Sequence, residues 1–336
     1  MAAEPAHLDG LQARQERMML EIGNRNATAE AQVPPEILHR PGGTQTAVAD
    51  PILSIRDLTL NLRSSGAQIA SGINLDIPRG SAVGLIGESG SGKSSICLSI
   101  LRLLGQSIDV SGEVQFNGAD ILQLATRELN AIRRSQIAMV FQDPVSHLNP
   151  VRTIKSQFKE CLIGAAQGSV VANAQMLSLL AEVGIRDPER ILAAYPHEIS
   201  GGQAQRVMLA MALSASPKLL IADEPTTALD VRVQAKVLEL LRKVRDSRRL
   251  SLLMVSHDLD AVADLCDHVV VLRHGHVVEQ GSTRNILNNP RHPYTQTLLR
   301  AFFDGTSALD NAANDRSAEF PSARGTGVTQ RRMIHA

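Results

Sequence analysis

Neither sign of charge prevails in this sequence: 34 basic side chains stand against 34 acidic ones, for a formal net charge of zero. Without a global field, nothing in the balance calls for nucleic acid or an anionic membrane surface as a partner. Cysteine is scarce as well. Cys97, Cys161 and Cys266 lie far apart and without the spacing of a metal site, so each is expected to act as a small buried hydrophobe, as suits a reducing compartment. No run approaches the roughly 18 consecutive apolar residues that a membrane span requires. The first residues, with Glu4, Asp9 and Arg14 to Arg17 around a poor apolar stretch, do not read as a secretory signal. Internal repeats are missing too. What remains is 336 residues with 43% hydrophobic and 20% charged side chains, enough for a full-sized core and a subdomain.

Residues 1 to about 50, which include Pro34, Pro35, Pro41, Gly42 and Gly43, lack sustained periodicity and read as a flexible lead-in, with at most a short helix over Leu11 to Ile22. Met18 and Met19 leave a later start open. From about Gly305 the sequence is again polar and aperiodic, and disorder is expected there. Between these ends the pattern is α/β. Leu58, Leu60 and Leu62 alternate with other residues as in a half-buried strand, and Val114 and Phe116 do so before the Asn117-Gly118 turn signal. Ala82 to Ile86 is a short apolar run that meets glycine and then a helical stretch to Leu104. Ile137 to Phe141, Leu219 to Ala222, Leu252 to Val255 and Val269 to Leu272 read as buried strands, and His276 to Gln280 as a hairpin return. Val233, Val237, Leu240, Leu241 and Val244 share one helical face. The alternation implies a mostly parallel sheet covered on both faces, interrupted by helix-like sequence from about 145 to 205.

The sharpest signal is Gly87-Glu88-Ser89-Gly90-Ser91-Gly92-Lys93-Ser94, a complete G-x-x-x-x-G-K-S between a strand and a helix. Glycines let the chain curl so that successive N–H groups point at phosphate, and the helix beginning there adds its positive end. Lys93 is placed to reach β- and γ-phosphates and Ser94 to ligate Mg²⁺, with Ser95 following in the same helix start. The plain alternative is a glycine-rich turn that caps a helix. Lys218 to Ala222 is an apolar strand ending in Asp223 and Glu224. Asp223 at the strand tip can hold Mg²⁺, and Glu224 can polarise an attacking water. Alone, these would be two solvated acids.

Ile199-Ser200-Gly201-Gly202-Gln203 resembles the signature motif of ABC ATPases, and further matches follow in that family's order. Gln142 stands where the family has its Q-loop glutamine, which senses Mg²⁺ and the membrane partner. Thr227-Ala228-Leu229-Asp230 resembles the D-loop, and His257 the switch histidine. The resemblance spans about residues 52 to 285. It implies a P-loop NTPase (RecA-like) fold with an antiparallel β subdomain and an inserted helical subdomain. It also implies Mg·ATP as bound nucleotide, with two ATP molecules sandwiched between the Gly87 to Ser95 loop of one subunit and the Ser200 to Gln203 helix of another. Asp230 would cross that interface, while Glu224, His257 and Gln142 would serve hydrolysis and Ser94, Gln142 and Asp223 would hold the metal. The ATPase domain is expected over 51–285 and a C-terminal extension over 286–336.

One departure concerns adenine. The family stacks it on an aromatic residue of the first antiparallel strands, whereas Leu58 to Ile69 contains none and Leu62 lies near the expected position. An aliphatic contact discriminates adenine from guanine less well than a ring.

Phe141 to Pro150, Tyr195-Pro196-His197 and Arg291-His292-Pro293-Tyr294-Thr295 resemble the oligopeptide, dipeptide and nickel importer group. That implies uptake of peptides or related small solutes, nickel chelates included. The partners implied are two transmembrane permease subunits, a second ATPase subunit and an extracytoplasmic solute-binding protein, at the cytoplasmic face of the membrane. Many members carry a cysteine-rich tail for an iron–sulphur cluster, but no cysteine follows Cys266, so no cluster is expected. His268, His274, His276 and His292 read as surface residues rather than nickel ligands. The alternatives to an importer are an ABC ATPase that exports, against which the importer-like Q-loop and tail argue, and a non-transport ABC ATPase, such as an accessory subunit in phosphonate degradation. A DNA-repair module is disfavoured by the short helical insert and the lack of a basic patch.

Overall fold

In the computed structural model, residues 50–162, 170–226 and 231–304 are described. The expected lead-in and its helix, the tail beyond 304 and the D-loop-like Thr227 to Asp230 lie outside them. Two sheets organise the chain. The first is antiparallel, in the order β2-β1-β4-β5, from β1 (Leu53–Leu62), β2 (Gln68–Ile77), β4 (Ile108–Phe116) and β5 (Ala119–Asp120). The second has the order β10-β9-β3-β8-β7-β6. It comprises β3 (Ala82–Gly87), β6 (Ile137–Val140), β7 (Leu219–Asp223), β8 (Ser251–Val255), β9 (His268–Arg273) and β10 (His276–Ser282). All its neighbours pair in parallel except the β9–β10 hairpin.

The parallel strands are continuous apolar runs because both faces are covered. On β3, Ala82 and Ile86 join one core while Val83 and Leu85 join the other. The same split parts Leu220 and Ala222 from Leu219 and Ile221 on β7, and Leu252 and Met254 from Leu253 and Val255 on β8. One core is shared with the antiparallel sheet and α1 (Lys93–Ile100), through residues such as Leu53, Ile73, Phe116, Ile96 and Ile100. After β6 comes α3 (Pro144–His147), and the other core is shared with α4 (Ile154–Cys161), α5 (Val170–Glu182), α6 (Pro188–Ala193) and α7 (Gly201–Leu213). Phe158 is wholly buried in it, and truncating such a ring costs about 3–5 kcal/mol.

α2 (Thr126–Ser135) precedes β6, and α8 (Val231–Arg248) and α9 (Leu259–Leu265) flank β8. Val237, Leu240, Leu241 and Val244 of α8 are buried as one apolar stripe. α10 (Thr283–Asn288) and α11 (Pro293–Asp304) close the described chain. Among the described residues no helix is long and apolar enough to cross a membrane.

One boundary differs from expectation. The helix after the glycine loop stops at Ile100 rather than Leu104. Leu103 N donates to Leu98 O and Arg102 takes φ 49°, a Schellman-type ending built on arginine instead of glycine. Arg102 stays in that conformation because its guanidinium donates to Leu124 O at 2.7 Å, while Arg133 Nε donates to Leu101 O at 2.8 Å. The Arg133 guanidinium thus absorbs the carbonyls of Leu101 and Arg102 at the helix end.

Candidate nucleotide site

The loop Gly87 to Gly92 leaves the parallel sheet at the C-terminal end of its third strand in spatial order, where α/β sheets carry their ligand sites. Gly90 and Gly92 have φ of 80° and 97°, the left-handed backbone that turns N–H groups inward. At Gly92 a Cβ would lie 2.9 Å from Ile69 O, so the antiparallel sheet approaches too closely for any side chain. Lys93 is 6% exposed, and its Nζ donates to Gly87 O at 2.8 Å, Glu88 O at 2.7 Å and Ser91 Oγ at 3.3 Å. Burial lowers the Lys93 pKa from its ordinary value, against the pull of Glu224 and Asp223. A partly desolvated ammonium fixed at the mouth of an amide-lined loop is suited to an anion.

Asp223 ends β7 beside that loop and accepts from Ser94 Oγ at 3.1 Å. Burial raises its carboxyl above the usual range, a shift that the Ser94 hydrogen bond opposes. A hydroxyl and a carboxylate held together are hard oxygen donors, which fit Mg²⁺. Next to it, Glu224 takes φ 47°, a left-handed backbone uncommon for a non-glycine residue. Glu224 N donates to Val255 O at 2.9 Å, which locks the turn onto the end of β8.

The Glu224 carboxylate is where three expected residues meet. Oε2 accepts from Gln142 Nε2 at 2.7 Å, and Oε1 stands 3.3 Å from His257 Nδ1. Gln142 comes from the turn after β6, Glu224 from the tip of β7, and His257 from the tip of β8, so adjacent strands deliver all three. Ser200 to Gln203 stands elsewhere, at the start of α7. There Ser200 Oγ accepts from Gln203 N at 3.3 Å and Gln203 Oε1 from Ser200 N at 3.0 Å, a capping box closed on itself. Gly202 is packed so closely on α8 that a Cβ would lie 2.8 Å from Val233 Cγ1.

Two contacts to the loop were not foreseen. Gly275 N, in the β9–β10 turn, donates to Ser91 O at 3.2 Å, and Glu88 N donates to Tyr294 Oη at 3.1 Å. The sequence sign of the second is the Arg291 to Thr295 stretch, whose resemblance points to the importer group and not to a loop contact. Of the four histidines in that region, His268, His274 and His276 are exposed, while half-buried His292 accepts Tyr294 N through Nδ1. Cys97 and Cys266 are buried and Cys161 is half-buried.

The ABC transporter family model matches residues 70–227. A probable peptide ABC transporter ATP-binding protein of Sinorhizobium fredii is 41% identical over 82% of this chain and 84% of its own length. The chain belongs to the ABC transporter ATP-binding family. The model described as the oligopeptide/dipeptide transporter C-terminal region matches residues 278–324. The dipeptide transport ATP-binding protein DppD of Haemophilus influenzae is 40% identical over 77% of this chain and 81% of its own. The peptidoglycan transport ATP-binding protein YejF of Agrobacterium fabrum is 47% identical, and this ABC chain spans 47% of that relative's length. A dimeric ATP-binding cassette solved in a post-hydrolysis state with ADP and Pi superimposes with TM-score 0.62 at 28% identity, covering 69% of this chain and 99% of that one. The fold of this ABC protein is thus that of the P-loop ATPase cassettes.

Proposed function

We propose that this chain is the ATP-hydrolysing subunit of an ABC importer for peptides or related small solutes, acting with separate membrane permeases at the cytoplasmic face. The observation that carries the reading is the convergence of Gln142, Glu224 and His257 at the strand tips beside the Lys93 loop. In this reading residues 51–285 form the ATPase domain and 286–336 an extension. Residues Gly87 to Ser95 hold the triphosphate, with Lys93 against its β- and γ-phosphates. Ser94, Asp223 and Gln142 hold Mg²⁺, which neutralises charge on the phosphates. Glu224 accepts the proton of a water whose oxygen attacks the γ-phosphorus, the bond from that phosphorus to the bridging oxygen breaks, and ADP leaves. His257 contacts the γ-phosphate.

Ser200 to Gln203 and Asp230 belong to the same chemistry only across a dimer, because the capped start of α7 is a separate element. The second ATPase, a copy of this chain or a related one, supplies the facing half of the site. Closure therefore needs the γ-phosphate, and its loss opens the pair. The decisive experiment follows mass by light scattering with and without MgATP, alone and with a cognate second ATPase, alongside phosphate release. Nucleotide-dependent association with turnover is expected, and indifference to nucleotide in every combination refutes the proposal. Co-purification with permeases in detergent separates import from a non-transport role such as phosphonate degradation.

A further inference from the structure

The nucleotide loop is braced from outside by the C-terminal segment, and nothing in the ATPase chemistry above requires that. Tyr294 is the second residue of α11, and it is 5% exposed. Its hydroxyl oxygen accepts from Glu88 N at 3.1 Å, a bond spanning 206 residues of sequence. Beneath the ring, the Arg273 guanidinium lies 4.8 Å from the centroid, and Arg273 Nε is buried without a hydrogen-bond acceptor among the described residues. The cation therefore has the ring face as its counterpart. The approach to α11 is also fixed, because Glu279 of β10 accepts from Arg291 N at 2.8 Å and His292 N at 3.1 Å. A tyrosine so held does not wander; it sets where the loop starts.

We infer that Tyr294 is a positioning residue for the nucleotide loop, coupling the docked C-terminal segment to ATP affinity through the Glu88 amide. This rests on the reading of Gly87 to Ser95 as the ATP loop. Burial raises the Tyr294 hydroxyl to about 12, so it stays protonated throughout the physiological range and the coupling does not titrate there. Coupling of binding sites is reciprocal. If Tyr294 tightens the loop for ATP, ATP must tighten the segment that carries Tyr294.

The test uses the full chain with Glu224→Gln, so that ATP is not consumed, against Glu224→Gln with Tyr294→Phe. Phenylalanine keeps the ring and its contact with Arg273 and removes only the hydroxyl. Calorimetry with MgATP is expected to give a Kd about 2- to 12-fold weaker in the Phe variant, the range of one net hydrogen bond. The bond to Glu88 N is lost with or without ATP, so the melting temperature without nucleotide should fall by about 1–6 °C and no further. Hydrogen exchange in residues 293–300 should slow on MgATP binding in the Tyr protein and not in the Phe protein. Equal Kd values overturn the inference, as does a weaker Kd with exchange protection by MgATP unchanged in the Phe protein. Exchange in 293–300 that ignores MgATP in the Tyr protein overturns it without reference to any variant. Failure of the Tyr protein to bind MgATP at all would instead strike the ATP reading itself, along with what rests on it.

Discussion

Replacing Glu224 with glutamine isolates one proton acceptor from everything else the residue does. The amide keeps the size of the carboxylate, and its oxygen still accepts from Gln142 Nε2, now 2.7 Å from Oε2. The backbone at φ 47° is equally strained for either side chain, so no strain is released. Folding stability should change by less than about 1 kcal/mol, which for a domain of this class moves the melting temperature by no more than about 2–4 °C. Turnover should behave quite differently. A positioned general base contributes about a hundredfold to ten-thousandfold, and glutamine has no basic lone pair to offer a water proton. Phosphate release should fall by that factor with ATP affinity kept, and the bound triphosphate should hold the pair closed in scattering. Hydrolysis at the parental rate by Glu224→Gln would refute the argument, and so would loss of activity explained by loss of ATP binding.

Lys93→Ala removes an ammonium that makes three hydrogen bonds inside the loop. ATP affinity by calorimetry should drop about tenfold or more, the scale of a charged hydrogen bond, while nucleotide-free stability should shift much less, because relief of the buried charge offsets part of the three lost hydrogen bonds. Gly92→Ala places a Cβ 2.9 Å from Ile69 O at φ 97°, so thermal melting should fall by several degrees with nucleotide affinity. Burial raises the Asp223 carboxyl above its ordinary value, so between that value and the folded one the native state binds more protons than the unfolded chain. Stability then declines as pH rises through that window and stays reduced above it. Asp223→Asn lacks this slope, and denaturant unfolding followed from neutral pH down into the acid range should show the difference between the two proteins narrowing toward acid.

The parallel strands were readable because a strand buried on both faces has no polar alternation to blur it, as Leu219 to Ala222 illustrates. The glycine loop was readable because its backbone demands a residue type at fixed spacing. Gln142 and His257 had no such local signature. Each is an ordinary polar residue until strand order brings it to Glu224, and only resemblance singled them out beforehand. The end of α1 was misplaced because Arg102 adopts a glycine-like backbone on the strength of Leu124 O and the neighbouring Arg133, contacts no local pattern announces. Tyr294 was missed as a loop contact for the same reason, since its partner Glu88 lies 206 residues away. Tertiary hydrogen bonds that override local preference are invisible at the scale of a motif.

Gln142 occupies a mechanically privileged place. The chain leaves the sheet after Val140, passes Gln142, enters the helices Pro144 to Leu213, and returns to the sheet at Leu219. A rotation of those helices against the sheet acts on the two connecting segments as well as on the shared core. The outgoing one is stiffened, because Phe141 stacks on His147 at 4.3 Å with planes 2° apart and His147 Nδ1 pairs with Asp143 O at 2.7 Å. A stiff connection transmits displacement instead of absorbing it. The Gln142–Glu224 hydrogen bond is 2.7 Å long, and a shift of about 1 Å carries it beyond the range in which such a bond counts. A displacement of the helical insert that carried Gln142 with it by that much would therefore break this contact with Glu224.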